Sequence, residues 1–189
     1  KVEHMMQFVS VDAFGKRAEY IRHGLDFNYM MDNVEEFLDR IPVRNSITFI
    51  CTYNNLSITS MDKLLAKILE LRTKYSKTYQ RVWFDVPLLR QPAWQQITLL
   101  PESYQDIHQG NIDYMKANSG EENGLHIFKD FEIQKMQRNL AYWRKNADAS
   151  THNKKNFYAF FNEHDRRRLT RFLNTFPEME EFWEECRNA

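Results

Sequence analysis

The stretch "FVSVDAFGKRAEYIRHG", residues 8–24, decides how we interpret the fold. Its apolar beginning runs into Ser10 and Asp12, a glycine follows, and a helical segment ends at Arg22 and Gly24. Such a pattern is typical either of an ordinary strand-to-helix connection or of one wall of a ligand site, because ligands of parallel α/β sheets bind beyond the carboxyl ends of the strands. Spacing alone favours the ordinary connection, in which Asp12 satisfies turn backbone and Arg22 complements the end of a helix.

The rest of the N-terminal half alternates between strands and helices. Residues 7–12, 46–53 and 81–89 are predicted as strands, and the second is apolar on both faces, as strands of helix-covered parallel sheets are. Apolar residues at helical spacing predict one amphipathic helix over 27–40 and another that Ser60 caps. This order predicts an α/β chain with three parallel strands and crossover helices.

The second half of the chain has a different character. Residues 93–101 are predicted as a short strand or an extended lead, and from Ser103 onward the pattern predicts helices only. Residues 145–156 are polar and are predicted as a loop. We therefore divide the chain into an α/β part, residues 1–101, and a helical C-terminal region, residues 102–189.

Composition limits the classes of function. The 189 residues are 42% hydrophobic and 14% aromatic, enough for a core. Lys and Arg number 26, as do Asp and Glu, so the net charge is zero and argues against a body built to bind polyanions. The two cysteines, Cys51 and Cys186, form no metal motif and no disulfide framework, which favours a reducing, cytoplasmic compartment. Because no apolar run reaches membrane-spanning length, we expect no membrane partner.

Three segments carry a resemblance to a known family. "SVDAFGKRAEYIRHG" (10–24) resembles the segment around the fourth strand of radical S-adenosylmethionine (SAM) enzymes, especially those with a twitch or SPASM-type extension, where S-[VIL]-D-G/A precedes a helix ending in Arg-x-Gly. "ITFICTYNNLSITSMDKLLAKI" (47–68) looks like the fifth strand and helix, and "VWFDVPLLRQPAWQQITLLP" (82–101) looks like the sixth strand and its exit. The resemblance implies that residues 5–101 form half of a partial (β/α)6, TIM-like barrel, followed by a mainly helical C-terminal region.

The resemblance also implies a chemistry. Enzymes of this family hold a [4Fe–4S] cluster on a C-x-x-x-C-x-x-C loop, receive an electron from a donor, and cleave SAM to a 5′-deoxyadenosyl radical that attacks a substrate. Carried over by motif, Ser10 and Asp12 face the SAM ribose and Arg22 meets the SAM carboxylate. Arg17 is a second contact, and Asn54 lies at the rim of the site. The substrate, a peptide or a small molecule, is not indicated.

The chain departs from the family in one large respect, since it contains no C-x-x-x-C-x-x-C motif. Cys51 and Cys186 cannot supply three thiolates to a cluster. The chain also starts at Lys1, close to a predicted strand. We therefore expect a fragment, the C-terminal half of a longer enzyme, which alone binds no cluster and performs no radical chemistry. Its first strand would have an unpaired edge, which favours association.

The main alternative is a non-catalytic α/β binding module that uses the basic segment 157–172. Aromatic residues at 157–161 precede arginines at 166–171 there, a combination that suits single-stranded nucleic acid or a protein partner. The following segment, 178–185, is rich in glutamate, so we expect the two segments to pair internally and expect no nucleic-acid partner. "NEHD" (162–165) gathers possible metal ligands, but adjacent helical residues point in different directions, so we predict no metal site.

Overall fold

A three-stranded parallel sheet forms the centre of the α/β part. In the computed structural model the strands are β1 (His4–Ser10), β2 (Arg44–Ile50) and β3 (Val82–Asp85), in the order β1-β2-β3. Pairing of the last two resumes at an isolated bridge between Tyr53 and Leu88. The predicted α/β class and parallel strands are confirmed. The structure describes the following parts of the chain: residues 3–40, 44–120 and 124–189.

The described residues contain eight α-helices. They are α1 (Lys16–Ile21), α2 (Phe27–Arg40), α3 (Met61–Tyr75), α4 (Tyr104–Ala117), α5 (Asp130–Lys145), α6 (Thr151–Arg168), α7 (Phe172–Thr175) and α8 (Glu180–Asn188). No helix in the parts of the chain given above is both long and apolar enough to span a membrane.

Two predictions about the second half need correction. Residues 145–156 were expected as a loop, but α6 already begins at Thr151, because the Ser150 hydroxyl accepts the backbone N–H of Asn153 at 3.3 Å and caps the helix. Residues 93–101 form no strand but two short 3-10 turns, Ala93–Gln95 and Ile97–Leu99. The start of α6 was not predicted because residues 145–156 are polar, as loops are.

Only one face of the sheet is well covered. Both α2 and α3 lie on this face, where Glu35 of α2 accepts hydrogen bonds from Lys67 and Tyr75 of α3. The side chains beneath them are fully buried: Ile47, Phe49, Val82 and Phe84. On the opposite face, α5 reaches β3, but Met6 and Phe8 of β1 remain 46% and 58% exposed. Parallel sheets are usually covered on both faces, so this face is open.

The outer edge of β3 is sealed by side chains. Three of them bind its backbone: Arg72 Nε donates to the Val82 carbonyl at 3.0 Å, Glu132 Oε1 accepts the Phe84 N–H at 3.1 Å, and Asn139 Nδ2 donates to the Val86 carbonyl at 3.1 Å. Arg72 and Glu132 also form a bidentate ion pair, with a shorter contact of 2.6 Å, and both side chains are 0% exposed. At the other end of the sheet, no described strand pairs with the outer edge of β1.

The C-terminal helices pack around an aromatic cluster that also includes a residue of α1. Its members are Tyr20, Phe157, Phe161, Phe172, Phe176, Phe182 and Trp183. Phe172 stacks on Trp183 with their ring centroids 4.4 Å apart. The hydroxyl of Tyr20 donates to Asp165 of α6 at 2.8 Å. The cluster therefore fixes α1, and with it Arg22 at its end, to the helical region.

Candidate functional site

The loop after β1 is held against the loop after β2 by Asp12. This residue is only 5% exposed, and its Oδ1 accepts the backbone N–H of Thr52 at 2.9 Å. Its own carbonyl accepts a weak hydrogen bond from the Cys51 thiol, at 3.6 Å. Two neighbouring strands thus end at one place, which fixes the position of the Asp12 carboxylate.

Arg22 joins Asp12 at the same place. Its Nε donates to Asp12 Oδ2 at 2.7 Å, while the side chain remains 38% exposed. In the described part of the chain, no group binds the two terminal nitrogens of Arg22. The chain turns away at Gly24, whose φ of 87° favours glycine. The guanidinium is therefore oriented by a buried carboxylate, and its outer fork is free to bind a carboxylate.

Ser10 ends β1 on the open face of the sheet, where its side chain is exposed. In the strand register Ser10 lies beside Ile50, and Ile50 lies beside Asp85. Asp85 forms an ion pair with Lys135 of α5. The sequence did not predict this pair; its only local sign is that Asp85 follows the apolar start of the third strand as Ser10 follows that of the first. At the carboxyl end of the sheet, the open face therefore has a polar residue on each outer strand, Ser10 on β1 and Asp85 on β3.

The other two predicted site residues are engaged in structural contacts. Arg17 donates to the carbonyls of Thr59 and Thr175, the latter at 3.2 Å, and pairs with Glu178 at 2.9 Å. Asn54 Oδ1 accepts the backbone N–H groups of the next turn at 2.9 and 3.2 Å, and its Nδ2 donates to the Thr52 carbonyl at 3.0 Å. The structure joins Asp12 and Arg22 and leaves Ser10 exposed at the end of β1, two residues before Asp12. It uses Arg17 and Asn54 to hold the surrounding backbone.

The two cysteines do not fit an iron–sulfur cluster. Cys51 is 0% exposed beneath the sheet, and burial raises the pKa of its thiol well above the ordinary value. Cys186 lies among the C-terminal helices, where burial raises its pKa to about 12. Both stay protonated at neutral pH, whereas a cluster needs thiolates. The Ser10 hydroxyl can bind a ligand hydroxyl, and the free fork of Arg22 can bind a carboxylate.

The basic segment 157–172 is partly neutralised from within. Its phenylalanines Phe157 and Phe161 are buried, and the glutamate Glu163 pairs with the first two arginines at 2.7 and 2.5 Å. Just before it, Lys154 pairs with Glu185 of α8 at 2.6 Å. These contacts favour internal pairing over base stacking. In the parts of the chain that the structure covers, no three His, Cys, Asp or Glu residues gather as a metal site.

Comparison with known proteins adds no relative. No family model matches the chain, and neither a curated protein nor a solved structure does so. The features that indicate a function are therefore the Asp12–Arg22 pair, the exposed Ser10 beside it in the sequence, and the open face of the sheet.

Proposed function

We propose that this chain is the SAM-binding and substrate-side half of a radical SAM enzyme. The observation that carries the proposal is the Asp12–Arg22 ion pair, with exposed Ser10 two residues before Asp12, at the carboxyl end of a parallel sheet that is open on one face. Ligands of parallel α/β folds bind at such ends. Ser10, Asp12 and Arg22 belong to the segment, residues 10–24, that resembles the radical SAM enzymes.

The two edges of the sheet support a half barrel. Additional strands can pair with the free edge of β1, whereas the sealed edge of β3 ends the sheet, as the last strand of a partial barrel requires. A sheet extended at β1 and curved towards its open face would enclose Met6, Phe8 and Ser10. The apolar residues then face an interior, and Ser10 lies at its mouth.

Each residue of the group has a distinct task in this proposal. The outer fork of Arg22 binds the SAM carboxylate, and the exposed hydroxyl of Ser10 binds a ribose hydroxyl. Asp12 acts on the ligand through Arg22, because one of its oxygens holds the Arg22 Nε and the other holds the Thr52 N–H. It is a positioning residue. Reductive cleavage of SAM at a [4Fe–4S] cluster supplies the 5′-deoxyadenosyl radical.

The cluster must be held by residues outside these 189, because the chain has two buried cysteines and no cluster motif. The partners are then a cluster-binding segment, an electron donor, and a peptide or small-molecule substrate. Iron and sulfide reconstitution of this chain alone should give no [4Fe–4S] absorption or EPR signal. Appearance of that signal would overturn the division of labour proposed here.

The first test is to read the coding frame upstream of the Lys1 codon. We expect an open frame that encodes a strand followed by C-x-x-x-C-x-x-C. A stop codon next to the Lys1 codon, without a separate cluster-binding chain encoded beside it, would contradict the proposal. This test needs no folded protein, so its outcome is independent of stability.

The second test measures SAM binding by the protein that includes the cluster motif, with Arg22→Ala and Arg40→Ala compared. We expect Arg22→Ala to weaken binding by about tenfold to a hundredfold, since it removes charge-assisted hydrogen bonds. Arg40→Ala is the matched control, because Arg40 is 77% exposed and pairs only with Glu36 within the described residues. Equal affinities of the two variants would remove Arg22 from the site.

A further inference from the structure

A knob of unusual composition closes α6. We define the Leu169 knob as residues 166–171, "RRRLTR". Leu169 is 94% exposed, more than any other large hydrophobic side chain of the described residues, and it adopts a left-handed conformation with φ 53° and ψ 38°. A side chain with a Cβ is disfavoured in that conformation, which glycine adopts freely. The position thus holds a leucine that both solvation and backbone geometry disfavour.

The knob is held in place by its neighbours. Asp165 accepts the Thr170 hydroxyl at 2.7 Å and the Phe172 N–H at 2.5 Å, and its backbone carbonyl accepts the Thr170 N–H at 3.2 Å. The same carboxylate accepts the Tyr20 hydroxyl. Leu169 therefore projects from an ordered turn, which lowers the conformational entropy lost when it is buried by a partner.

A cleft that matches the knob lies at the other end of α6. We call it the acidic cleft; its volume is about 230 Å³. Its apolar lining consists of Leu99, Leu100, Pro101, Ala147 and Ala149. Three carboxylates lie around this lining, those of Glu102, Asp148 and Glu185, together with the single cation Lys154.

The charges of the two surfaces are complementary. Four arginines belong to the knob, and Glu163 and Asp165 are the carboxylates beside them, so the knob is positive. In the described residues, Arg171 has no side-chain partner. The acidic cleft is negative, because Lys154 pairs with Glu185 at 2.6 Å and the carboxylates of Glu102 and Asp148 remain without a basic partner in its lining. Leu169, surrounded by arginines, thus matches the apolar lining of the acidic cleft, which carboxylates surround.

The same molecule cannot join its own knob to its own cleft. The cleft lies beside the start of α6 and the knob at its end, and a helix of 18 residues is about 27 Å long. We infer that the Leu169 knob of one molecule docks into the acidic cleft of a second copy, in a head-to-tail contact. Each docked molecule leaves a free knob and a free cleft, so the contact builds rings or chains of molecules. This inference stands apart from the proposed function.

The test measures the weight-average mass of the chain by sedimentation equilibrium as its concentration and the salt concentration are varied. We expect the mass to rise above 22.9 kDa with concentration and to fall towards it in high salt. Leu169→Gly should require about tenfold or more protein for the same association, because a buried leucine is lost. Its melting temperature should be unchanged or higher, since glycine relieves the backbone conformation.

A mixing experiment separates this contact from any other self-association. Ala149→Arg blocks the cleft and keeps the knob, whereas Leu169→Gly keeps the cleft. At the lowest concentration where the parent chain associates, each variant alone should be monomeric, and an equimolar mixture should form a dimer and nothing larger. Ile107→Ala is the matched control, since Ile107 is also an exposed hydrophobic residue, at 44%, but lies on α4. It should associate like the parent chain.

Three outcomes overturn the inference. A parent chain that stays monomeric at all concentrations shows that no copy binds the knob. Association of Leu169→Gly at the same concentration as the parent chain shows that another surface, such as the edge of β1, is responsible. A mixture of the two variants that remains monomeric shows that knob and cleft do not meet.

Discussion

The two edges of the sheet are built in opposite ways. At β3, buried Arg72, Glu132 and Asn139 bind the backbone groups that an outer edge leaves free. At β1, Met6 and Phe8 are exposed and no described strand pairs with the outer edge. Exposed apolar edges are sites of pairing with further chain. Within the described residues, side chains pair the outer backbone groups of β3, whereas no strand pairs with the outer edge of β1. The free energy of unfolding should therefore depend more on the contacts at the β3 edge than on those at the β1 edge.

Removal of the carboxylate at the sealed edge should have the largest effect. Glu132→Ala leaves the buried Arg72 charge without its partner and the Phe84 N–H without its acceptor. We expect the free energy of unfolding to fall by about 3–5 kcal/mol, as for other broken buried ion pairs. Urea denaturation followed by circular dichroism measures it.

The control for this variant is Glu36→Ala, which removes an exposed pair with Arg40 at the end of α2. Surface pairs contribute about 0–1 kcal/mol, so this change should be nearly silent. Similar losses in Glu36→Ala and Glu132→Ala would contradict the view that stability is concentrated at the β3 edge.

The same truncation, phenylalanine to alanine, can be made in the buried aromatic cluster and on exposed β1. Phe172, in the aromatic cluster, is 1% exposed, whereas Phe8 on β1 is 58% exposed. Phe172→Ala should cost about 3–4 kcal/mol, because it removes buried surface and leaves a cavity. Phe8→Ala should cost less than about 1 kcal/mol, because little of its surface is buried. Thermal unfolding of the two variants measures both, and a loss in Phe8→Ala equal to that in Phe172→Ala would show that β1 is not open.

The sealed side should also carry a pH response, through His108 on α4. Its side chain is fully buried, with Nδ1 2.7 Å from the Tyr53 hydroxyl and Nε2 2.9 Å from the Met136 carbonyl. Burial lowers its pKa from 6.5 to about 4, and Arg144 adds to the effect. Because the unfolded chain binds a proton at higher pH than the folded chain, stability should fall as pH drops from about 6.5 to about 4, by up to about 3 kcal/mol.

Denaturation midpoints between pH 4.5 and 7 measure this response, and His108→Gln is the matched variant, since its amide can serve the same two partners without titrating. His164, whose pKa burial also lowers, contributes in the same window, so the slope should decrease rather than vanish. Glu35, with a pKa of about 2, loses its contribution only below about pH 4.5. An unchanged slope in His108→Gln would exclude His108 as a source.

The sequence predicted the strands of the sheet, but it did not predict which side chains bind the outer edge of β3. Period-two and helical patterns were sufficient for three parallel strands and for α2, Phe27–Arg40, because burial on one face sets those periods. The role of Glu132 was not predictable, since a single glutamate in a helix has no local sign that it binds a strand 48 residues earlier. The start of α6 was missed because polar residues of a capped first turn resemble a loop.

The site shows the same division between local and long-range information. The motif singled out Asp12 and Arg22 as site residues. The two side chains meet because only a strand end and one short helix, α1, separate them along the chain. Asp85 and Lys135, which meet from β3 and α5, depend on tertiary packing and could not be inferred from spacing. Asn54 lies past the end of β2, where its amide oxygen accepts two backbone N–H groups of the turn and its amide nitrogen donates to the Thr52 carbonyl.

The smallest expected effect concerns Arg17, which links the open site to the sealed helical region. Its guanidinium lies over the Phe176 ring at 5.7 Å and pairs with Glu178, so it joins α1 to the chain beyond α7. Arg17→Met keeps the aliphatic stem and should lower the free energy of unfolding by about 1 kcal/mol. If Arg17 only positions α1, SAM binding by the protein with the cluster motif should change far less than in Arg22→Ala. A loss of affinity as large as that of Arg22→Ala, at unchanged stability, would instead make Arg17 a ligand contact, and the contacts of its side chain with Thr175 and Glu178 would then have to open when the ligand binds.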